Sequence, residues 1–336
     1  HTMKKRLLLL GGMLVGFVVH GQQAFQFSQY LENLYLINPA SAGIKNDPEI
    51  GLGYRRQWAG LSQAPETYYV SANIMLGKAQ RSFKQRSLRI SAPTKYARYQ
   101  PKNNLKHALG VFFLSDEFGA FKKTSGSVSY ALHLPVTSTY TLSFGTSAGL
   151  SNVQFDADKA QVADIGDNTY NMFAGQGSSS TNVLDVNFGL WFYSDRWFAG
   201  ISSFQLLGNS LTFGENATDA NLERYYSFMA GYHIVLNRDW VFTPSALLKV
   251  VPPVSPVIDF NVKLDYQDRL WFGAAYRHEG AAIVFAGLHL NDQFRLGYAF
   301  DYSTSSDLRS LGTTGHELLL GIRPFKKSKT TTGASF

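Results

Sequence analysis

Apolar and polar residues alternate along most of this chain. The clearest case is 257–267, where five apolar side chains share one face: Ile258, Phe260, Val262, Leu264 and Tyr266. The opposite face carries Asp259, Asn261, Lys263, Asp265 and Gln267. A period of two residues predicts a β-strand with one side against apolar material and the other against water. The same alternation recurs in 139–150 and 293–303.

Segments of this kind number fourteen from Glu49 onward, and together they predict an all-β fold. They lie near 49–58, 64–77, 106–118, 122–136, 138–152, 183–194, 196–207, 223–236, 239–251, 255–266, 268–278, 281–290, 293–303 and 316–325.

The connections between these segments sort by length. Tight turns follow even-numbered segments, at Val136-Thr137-Ser138, Ser194-Asp195, Asn237-Arg238, Gln267-Asp268 and Asn291-Asp292. Long connections follow odd-numbered ones, at 153–182, 208–222 and 304–315. Outer-membrane barrels have short periplasmic turns and long outer loops, whereas a soluble sandwich has no reason to sort its loops in this way. The exception is segment 78–105, which is long although it follows an even-numbered strand and therefore lies on the periplasmic side.

Composition narrows the fold to a membrane barrel. Charged residues make up 16% and aromatic residues 14% of the chain, with 30 glycines and a mean hydropathy of only −0.12. Few charges and middling hydropathy fit a barrel with an apolar outside and a polar lumen. We therefore predict a transmembrane outer-membrane β-barrel of about fourteen antiparallel strands in residues 49–325. The absence of cysteine excludes disulfides and a lipid-attached cysteine.

The N-terminus predicts export to the bacterial outer membrane. Residues 1–21 read as a cloning remnant, His1-Thr2, followed by a signal peptide with a basic start, an apolar run at 7–19 and a small-residue cleavage site. Cleavage is predicted between Gly21 and Gln22.

Residues 22–48 form an aromatic lead-in to the first strand, and we expect it to begin on the periplasmic side. Asn38-Pro39 predicts a turn. Its apolar residues need cover in a protein without a soluble core: Phe27, Tyr30, Leu34, Tyr35 and Ile37. We predict that the segment packs into the lumen as a plug. The alternative is a segment folded beneath the barrel mouth.

The remaining candidate sites are weak. His316-Glu317 lacks the second histidine of a zinc-protease helix and is interpreted as a pair at the barrel rim. The acidic residues Asp156, Asp158, Asp164 and Asp167 lack the spacing of a calcium loop. In the first strand, Arg55 and Gln57 share a face that lines either a binding site or a structural ion pair, and Trp58 is typical of an interfacial residue. No catalytic constellation stands out, so we predict no enzyme, cofactor or metal.

One basic stretch accounts for the excess of positive charge in the chain. Nine Lys or Arg residues and no acid lie between Lys78 and Lys106. The segment 78–105 is either a solvated loop or a docking surface for an acidic periplasmic partner, built from Arg81, Lys84, Arg86, Arg89, Lys95 and Arg98. The basic tail, 326–336, allows the same two interpretations. Nucleic acid is not an expected partner of an exported chain.

Several motifs resemble the PorP/SprF family of the type IX secretion system of the Bacteroidota. Those before the second strand are Gln26-Phe27-Ser28-Gln29-Tyr30, Ile37-Asn38-Pro39-Ala40 with Ala42-Gly43, and Tyr54-Arg55-x-Gln57-Trp58-x-Gly60-Leu61. Later ones are Ala64-Pro65-x-Thr67, Leu109-Gly110, Asp116-x-Phe118-Gly119, Gly297-Tyr298-x-x-Asp301-Tyr302 and Gly315-His316-Glu317. They follow family order over nearly the whole mature chain.

The resemblance implies a roughly fourteen-stranded barrel without enzymatic activity. It also implies a role in bringing large gliding-adhesin-like proteins to the cell surface through their C-terminal sorting domain, with periplasmic motor components as further partners. Bilayer lipid and lipopolysaccharide would surround the barrel. The basic insertion 78–105 departs from the family pattern. The alternative function is a channel for small or apolar solutes, which requires an open lumen.

Overall fold

A computed structural model describes residues 25–45, 47–76, 105–159, 179–208, 210–211, 220–252, 254–278, 280–305 and 313–324. Among these residues no helix is both long and apolar enough to span a bilayer. The predicted signal peptide, nearly all of the basic segment 78–105, the tail 326–336 and the middles of the three long loops lie outside the described residues. The docking residues Arg81, Lys84, Arg86, Arg89, Lys95 and Arg98 are among them.

Fourteen strands build the barrel. The first seven are β1 (Glu49–Ala59), β2 (Glu66–Leu76), β3 (Lys106–Phe118), β4 (Phe121–Pro135), β5 (Thr141–Phe155), β6 (Ser179–Tyr193) and β7 (Trp197–Phe204). The others are β8 (Tyr225–Tyr232), β9 (Trp240–Val250), β10 (Val257–Tyr266), β11 (Leu270–Arg277), β12 (Ala281–His289), β13 (Phe294–Ser303) and β14 (Thr314–Ile322). After His233, β8 continues as Ile234–Val235, and a short hairpin pairs Ser210–Leu211 with Ala220–Asn221.

The sheet closes on itself. Each strand pairs antiparallel with its neighbours in sequence, and β1 pairs with β14 through partners such as Gly51 and Gly321. Closure leaves no free edge, so backbone groups at membrane depth are satisfied within the sheet. The predicted antiparallel barrel of fourteen strands is confirmed.

Side chains alternate between lipid and lumen as the pattern predicted. In β10, Phe260 is 58% exposed on the outer surface, whereas the next residue, Asn261, is 2% exposed inside. In β2, Val70 points outward and Ser71 inward in the same way. The apolar exterior and polar lumen are those of a transmembrane barrel.

Short and long connections alternate as predicted, while several strands, β5 among them, begin a few residues away from the predicted positions. The turn after β10 uses Gln267 and Asp268 at φ 50° and 54°, the conformation that suits tight hairpins. Strand β5 begins at Thr141, three residues after the predicted 138, because the Thr137 hydroxyl accepts hydrogen bonds from the backbone amides of Thr139 and Tyr140 (3.2 and 3.0 Å) and extends the turn. The end bearing the long connections after β5, β7 and β13 is the outer end, and the first and last strands both reach the periplasmic end.

Candidate functional site: the plugged lumen

The lead-in segment lies inside the barrel, and residues 25–45 are called the plug below. Near the outer end, Lys249 donates to the Phe25 carbonyl (2.6 Å) and Arg277 to the Gln26 side-chain oxygen (3.0 Å). Near the periplasmic end, the Gly43 amide donates to Asn73 (2.9 Å). The plug therefore descends from the outer half of the lumen towards β1. The described part of the lead-in does not start on the periplasmic side, as was expected, because β9 and β11 hold its first described residues, Phe25 and Gln26, high in the lumen.

The Asn38-Pro39 turn fixes the middle of the plug. Asn38 caps the 3-10 turn Pro39–Ser41 by accepting from the Ala40 amide (2.9 Å), and proline suits the first position of such a turn. The Asn38 amide also donates to the carbonyls of Leu190 on β6 and Ile201 on β7 (2.9 and 3.0 Å). One side chain thus sets the turn and fastens it to two strands.

An ion cluster in the middle of the lumen holds the family motif; we call it the central cluster. Arg55 contacts Asp301 (2.7 Å) and Glu317 (3.0 Å), and all three side chains are at most 8% exposed. The Ser28 hydroxyl donates to Asp301 (2.8 Å) and its backbone amide to Glu317 (2.6 Å). The Gln29 amide donates to the other Glu317 oxygen (3.0 Å). Arg55 therefore forms the structural ion pair, one of its two predicted roles.

A second ion cluster, the periplasmic cluster, surrounds Glu32. Lys263 contacts its carboxylate at 2.5 Å, and Arg295 lies 3.5 Å away while donating to the Glu32 carbonyl (2.8 Å). Arg295 also pairs with Glu49, which pairs with Lys45 (2.9 Å). Burial alone would raise the pKa of Glu32, but Lys263, Arg295 and Lys45 outweigh it and lower that pKa to about 2. The carboxylate is therefore charged at neutral pH.

The opposite wall, on β4 to β7, holds the plug with neutral groups. The hydroxyls of Ser143 and Ser202 donate to the carbonyls of Ala40 (2.7 Å) and Ile37 (2.6 Å). His133 Nε2 lies 2.8 Å from the Ala42 carbonyl, and because a carbonyl only accepts, this nitrogen is the donor. A side chain at Gly145 would place its Cβ within 2.5 Å of the Pro39–Ala40 backbone. Glycine there permits the close approach.

Apolar and aromatic contacts also hold the plug against the barrel wall. Phe27 packs edge-to-face on Tyr69 of β2, with ring centroids 5.2 Å apart, and Tyr30, Leu36 and Ile37 belong to the same buried core. The Tyr35 hydroxyl bonds with Ser129 (2.7 Å), and burial raises the pKa of Tyr35 to about 12. Every plug and family-motif residue proposed from sequence thus lies within one network: Gln26, Phe27, Ser28, Gln29, Tyr30, Asn38, Pro39, Ala40 and Gly43.

Other predicted residues lie elsewhere. Trp58 sits at the outer end of β1 with φ 52°, edge-on to Phe118 (5.7 Å), and the Gln57 amide donates to Pro65 (2.9 Å). His316 faces outward and bonds with Tyr298 (2.7 Å), whereas its neighbour Glu317 is buried in the lumen. The interpretation of His316-Glu317 as a rim pair was wrong, because adjacent strand residues point to opposite faces.

Sequence reasoning did not single out the barrel's other anchoring charges. These are Lys249, Asp259, Lys263, Arg277 and Arg295, with Arg277 and Asp259 joined by two contacts of 2.9 Å. The sequence signal that could have found them is the alternation of each strand, because each of these charged residues occupies a position whose side chain points into the lumen. No group of three or more acidic or histidine side chains forms a metal site within the described part of the chain.

Above the plug, the lumen opens into a cavity at the outer end, called the outer cavity below. The plug contributes its floor through Phe25, Phe27 and Ile37. Its walls come mainly from β4 to β9 and include Lys123, Asp185, Phe204, Tyr225, Ser227 and Lys249. A solute entering from outside therefore meets the plug before it can cross the membrane.

The closed barrel, its apolar exterior and its filled lumen define an outer-membrane β-barrel protein. The family model described as "Type IX secretion system membrane protein PorP/SprF" matches residues 19–322. The chain belongs to the PorP/SprF family and resides in the bacterial outer membrane. The sequence resemblance to this family is confirmed.

Solved structures with low sequence identity are similar. They include the Ralstonia pickettii toluene transporter TbuX, at 9% identity and a TM-score of 0.47, with 85% of this chain and 91% of that one covered. Another is the Acinetobacter baumannii outer membrane protein Omp33, at 8% identity and a TM-score of 0.46, with 83% and 98% covered. A search of curated proteins found no match.

Proposed function

We propose that this protein is a non-enzymatic partner of a large adhesin-like cargo, and that it supports the cargo's secretion and surface attachment through the cargo's C-terminal sorting domain. Family membership supports a role in type IX secretion. Periplasmic motor components are proposed as a second class of partner, with the basic segment 78–105 as their docking surface. The outer loops and the outer cavity form the proposed cargo side.

The filled lumen is the observation that carries the proposal. The central cluster, the periplasmic cluster and the neutral wall hold the plug on opposite sides. Expelling it would separate Glu32 from Lys263 and Arg295 and would remove the Ser28 and Gln29 donors from the central cluster, which is unfavourable. A conduit needs a continuous lumen, whereas a docking partner does not. The plug therefore favours docking over the solute channel.

Co-purification tests this function directly. The affinity-tagged barrel is isolated from native outer membranes after mild crosslinking, and the bound proteins are identified by mass spectrometry. We expect recovery of a secreted protein with a C-terminal sorting domain, and loss of that recovery when the domain is deleted. An equally tagged, unrelated outer-membrane barrel from the same cells is the control. A preparation that lacks any such protein contradicts the proposal.

Flux measurements separate docking from transport. The purified barrel in liposomes is expected to conduct neither ions nor small apolar solutes above the level of empty liposomes. Rapid solute flux through the unmodified barrel would instead favour the channel.

A further inference from the structure

The outer cavity is lined by two lysines that form no direct ion pair among the described residues, and the nearest acidic group in its lining, Asp185, acts on Lys123 from beyond ion-pair distance. Lys249 is 7% exposed and donates to the neutral carbonyl of Phe25 (2.6 Å). Lys123 lies over the Phe25 ring, 5.2 Å from its centroid. It also donates to the side-chain oxygen of Gln205 (2.5 Å) in the amide orientation that satisfies both ends of that side chain. Among the described residues, no carboxylate lies within 4.0 Å of either ammonium group.

The contrast with the periplasmic cluster shows how unusual this is. There, the equally inward Lys263 has two carboxylates within 3.0 Å, those of Glu32 and Asp265. A buried ammonium group without an anion is unfavourable, so an anion entering the outer cavity would gain two charge-assisted hydrogen bonds. The cavity is therefore built to receive a carboxylate or a similar anion.

The same cavity also offers acceptors that lack a donor. Asp185 uses one carboxylate oxygen to accept from Ser151, but the other is buried without a partner among the described residues. The hydroxyl of Ser227 is buried and unpartnered in the same part of the chain. Asp185 also faces Lys123 beyond ion-pair distance. Both atoms have almost no exposed surface, so a ligand that supplies hydrogen-bond donors as well as an anion would reach them once their side chains turn towards the cavity.

We propose that the outer cavity binds the C-terminal end of an extended peptide. The terminal carboxylate lies between Lys123 and Lys249, backbone amides donate to Asp185 and Ser227, and the last side chain packs on Phe204 and Tyr225. A fatty acid matches the carboxylate and the aromatic lining but has no amide donor. The inference rests on the proposed function, since it assigns this peptide end to the secreted cargo.

Peptide binding to the full-length barrel in nanodiscs tests the cavity without the cargo. The probes are an acetylated hexapeptide ending in phenylalanine with a free carboxylate, its C-terminal amide, and laurate. We expect the acid to bind at least tenfold more tightly than the amide and to outcompete laurate. Equal binding of acid and amide, or displacement of the acid by lower concentrations of laurate, overturns the inference.

Substitutions at the two lysines locate the binding. Lys123→Ala is expected to weaken binding of the acid at least tenfold. Its matched control is Lys122→Ala, one residue away on the outer face with a 48% exposed side chain beside Glu117, and it is expected to leave binding unchanged. Lys249→Gln removes the charge but keeps a side-chain hydrogen-bond donor, and it should also lose tenfold. Unchanged labelling of a cysteine at Phe27 in this variant would show that the plug has stayed in place. Binding that survives both cavity variants overturns the inference.

Cargo recovery separates this inference from the proposed function. If cargo co-purifies equally with the parent barrel and with Lys249→Gln, the cavity is not the docking site although the proposed function stands. If the acid peptide binds as expected but no cargo is recovered from native membranes, the cavity inference stands and the proposed function fails.

Discussion

The two sides of the lumen hold the same plug by different means. On β1, β10, β13 and β14, buried charges reach it through the central and periplasmic clusters. On β4 to β7, the contacts are a histidine, serine hydroxyls and glycines that let the plug backbone lie against the strand. Lys123 of β4 lies over the Phe25 ring but forms no ion pair with the plug. We call these the charged wall and the neutral wall.

The two walls control different properties of the plug: its position along the barrel axis and its fit against the strands. A buried charge is severely destabilised when its partner moves away, so the charged wall fixes where the plug sits along the barrel axis. Close backbone approach depends on volume, so the neutral wall fixes how deeply the plug lies against the strands. The charged wall should therefore be sensitive to loss of charge, and the neutral wall to added size.

The largest effect is expected from Arg55→Ala. It leaves Asp301 and Glu317 buried without their shared cation, which costs about 3–5 kcal/mol. Urea unfolding of the barrel in lipid vesicles measures the change. The matched control is Arg56→Ala, whose partner Glu66 lies 3.6 Å away, with the two side chains 45% and 32% exposed, and its cost should be about 0–1 kcal/mol. Similar losses for both variants would contradict a charge-based anchor.

Adding one methyl group to the neutral wall should have the next largest effect. Gly145→Ala places a Cβ within 2.5 Å of the plug backbone, an overpacking expected to cost about 1–3 kcal/mol. Gly126→Ala is the control, because the nearest atom to its Cβ would be 3.8 Å away. Labelling of a cysteine at Phe27, which is buried in the parent, should become faster only in Gly145→Ala. Unchanged labelling would mean that the wall yields without moving the plug.

Alternation made the barrel predictable from sequence, and it also placed Arg55, Asp259 and Lys263 on the inner face. Alternation did not reveal which charged residues form ion pairs. Pairs such as Arg55 and Glu317 are far apart in the chain and come together only when the barrel closes. The aromatic residues of the lead-in, which needed cover, predicted that it is a plug. They did not predict the direction in which it runs, because that direction is set by contacts with Lys249 and Arg277, which are distant in the chain. Nothing in the sequence marked Gly145 or Gly297 as a contact of the plug, and only the structure shows that both lie against it.

Acid should weaken the charged wall through protonation of Glu32. The pKa of Glu32 is lowered from 4.5 to about 2 in the folded protein. A depressed carboxylate pKa contributes stability that is fully present above pH 4.5 and is lost as the pH falls towards 2. Because the carboxyl group of the unfolded chain is already half protonated at pH 4.5, the first pH unit below that value should remove about 1 kcal/mol.

Urea midpoints measured between pH 7 and pH 3 would check this expectation. Glu32→Gln is the control, since it keeps the size of the side chain and cannot titrate. Its stability should fall less steeply in this range than that of the parent. If both profiles have the same slope, other carboxylates dominate the acid response and Glu32 does not anchor the plug.

The smallest effect isolates one hydrogen bond of the neutral wall. Ser202 donates to the Ile37 carbonyl (2.6 Å), and Ser202→Ala should cost about 1 kcal/mol. Its neighbour Ser203 has an unpartnered hydroxyl within the described residues, so Ser203→Ala should cost close to nothing. Since about 1.4 kcal/mol is a factor of ten, the first variant should speed labelling at Phe27→Cys roughly fivefold and the second should leave it unchanged. Equal rates in both variants would show that the neutral wall holds the plug through its shape alone.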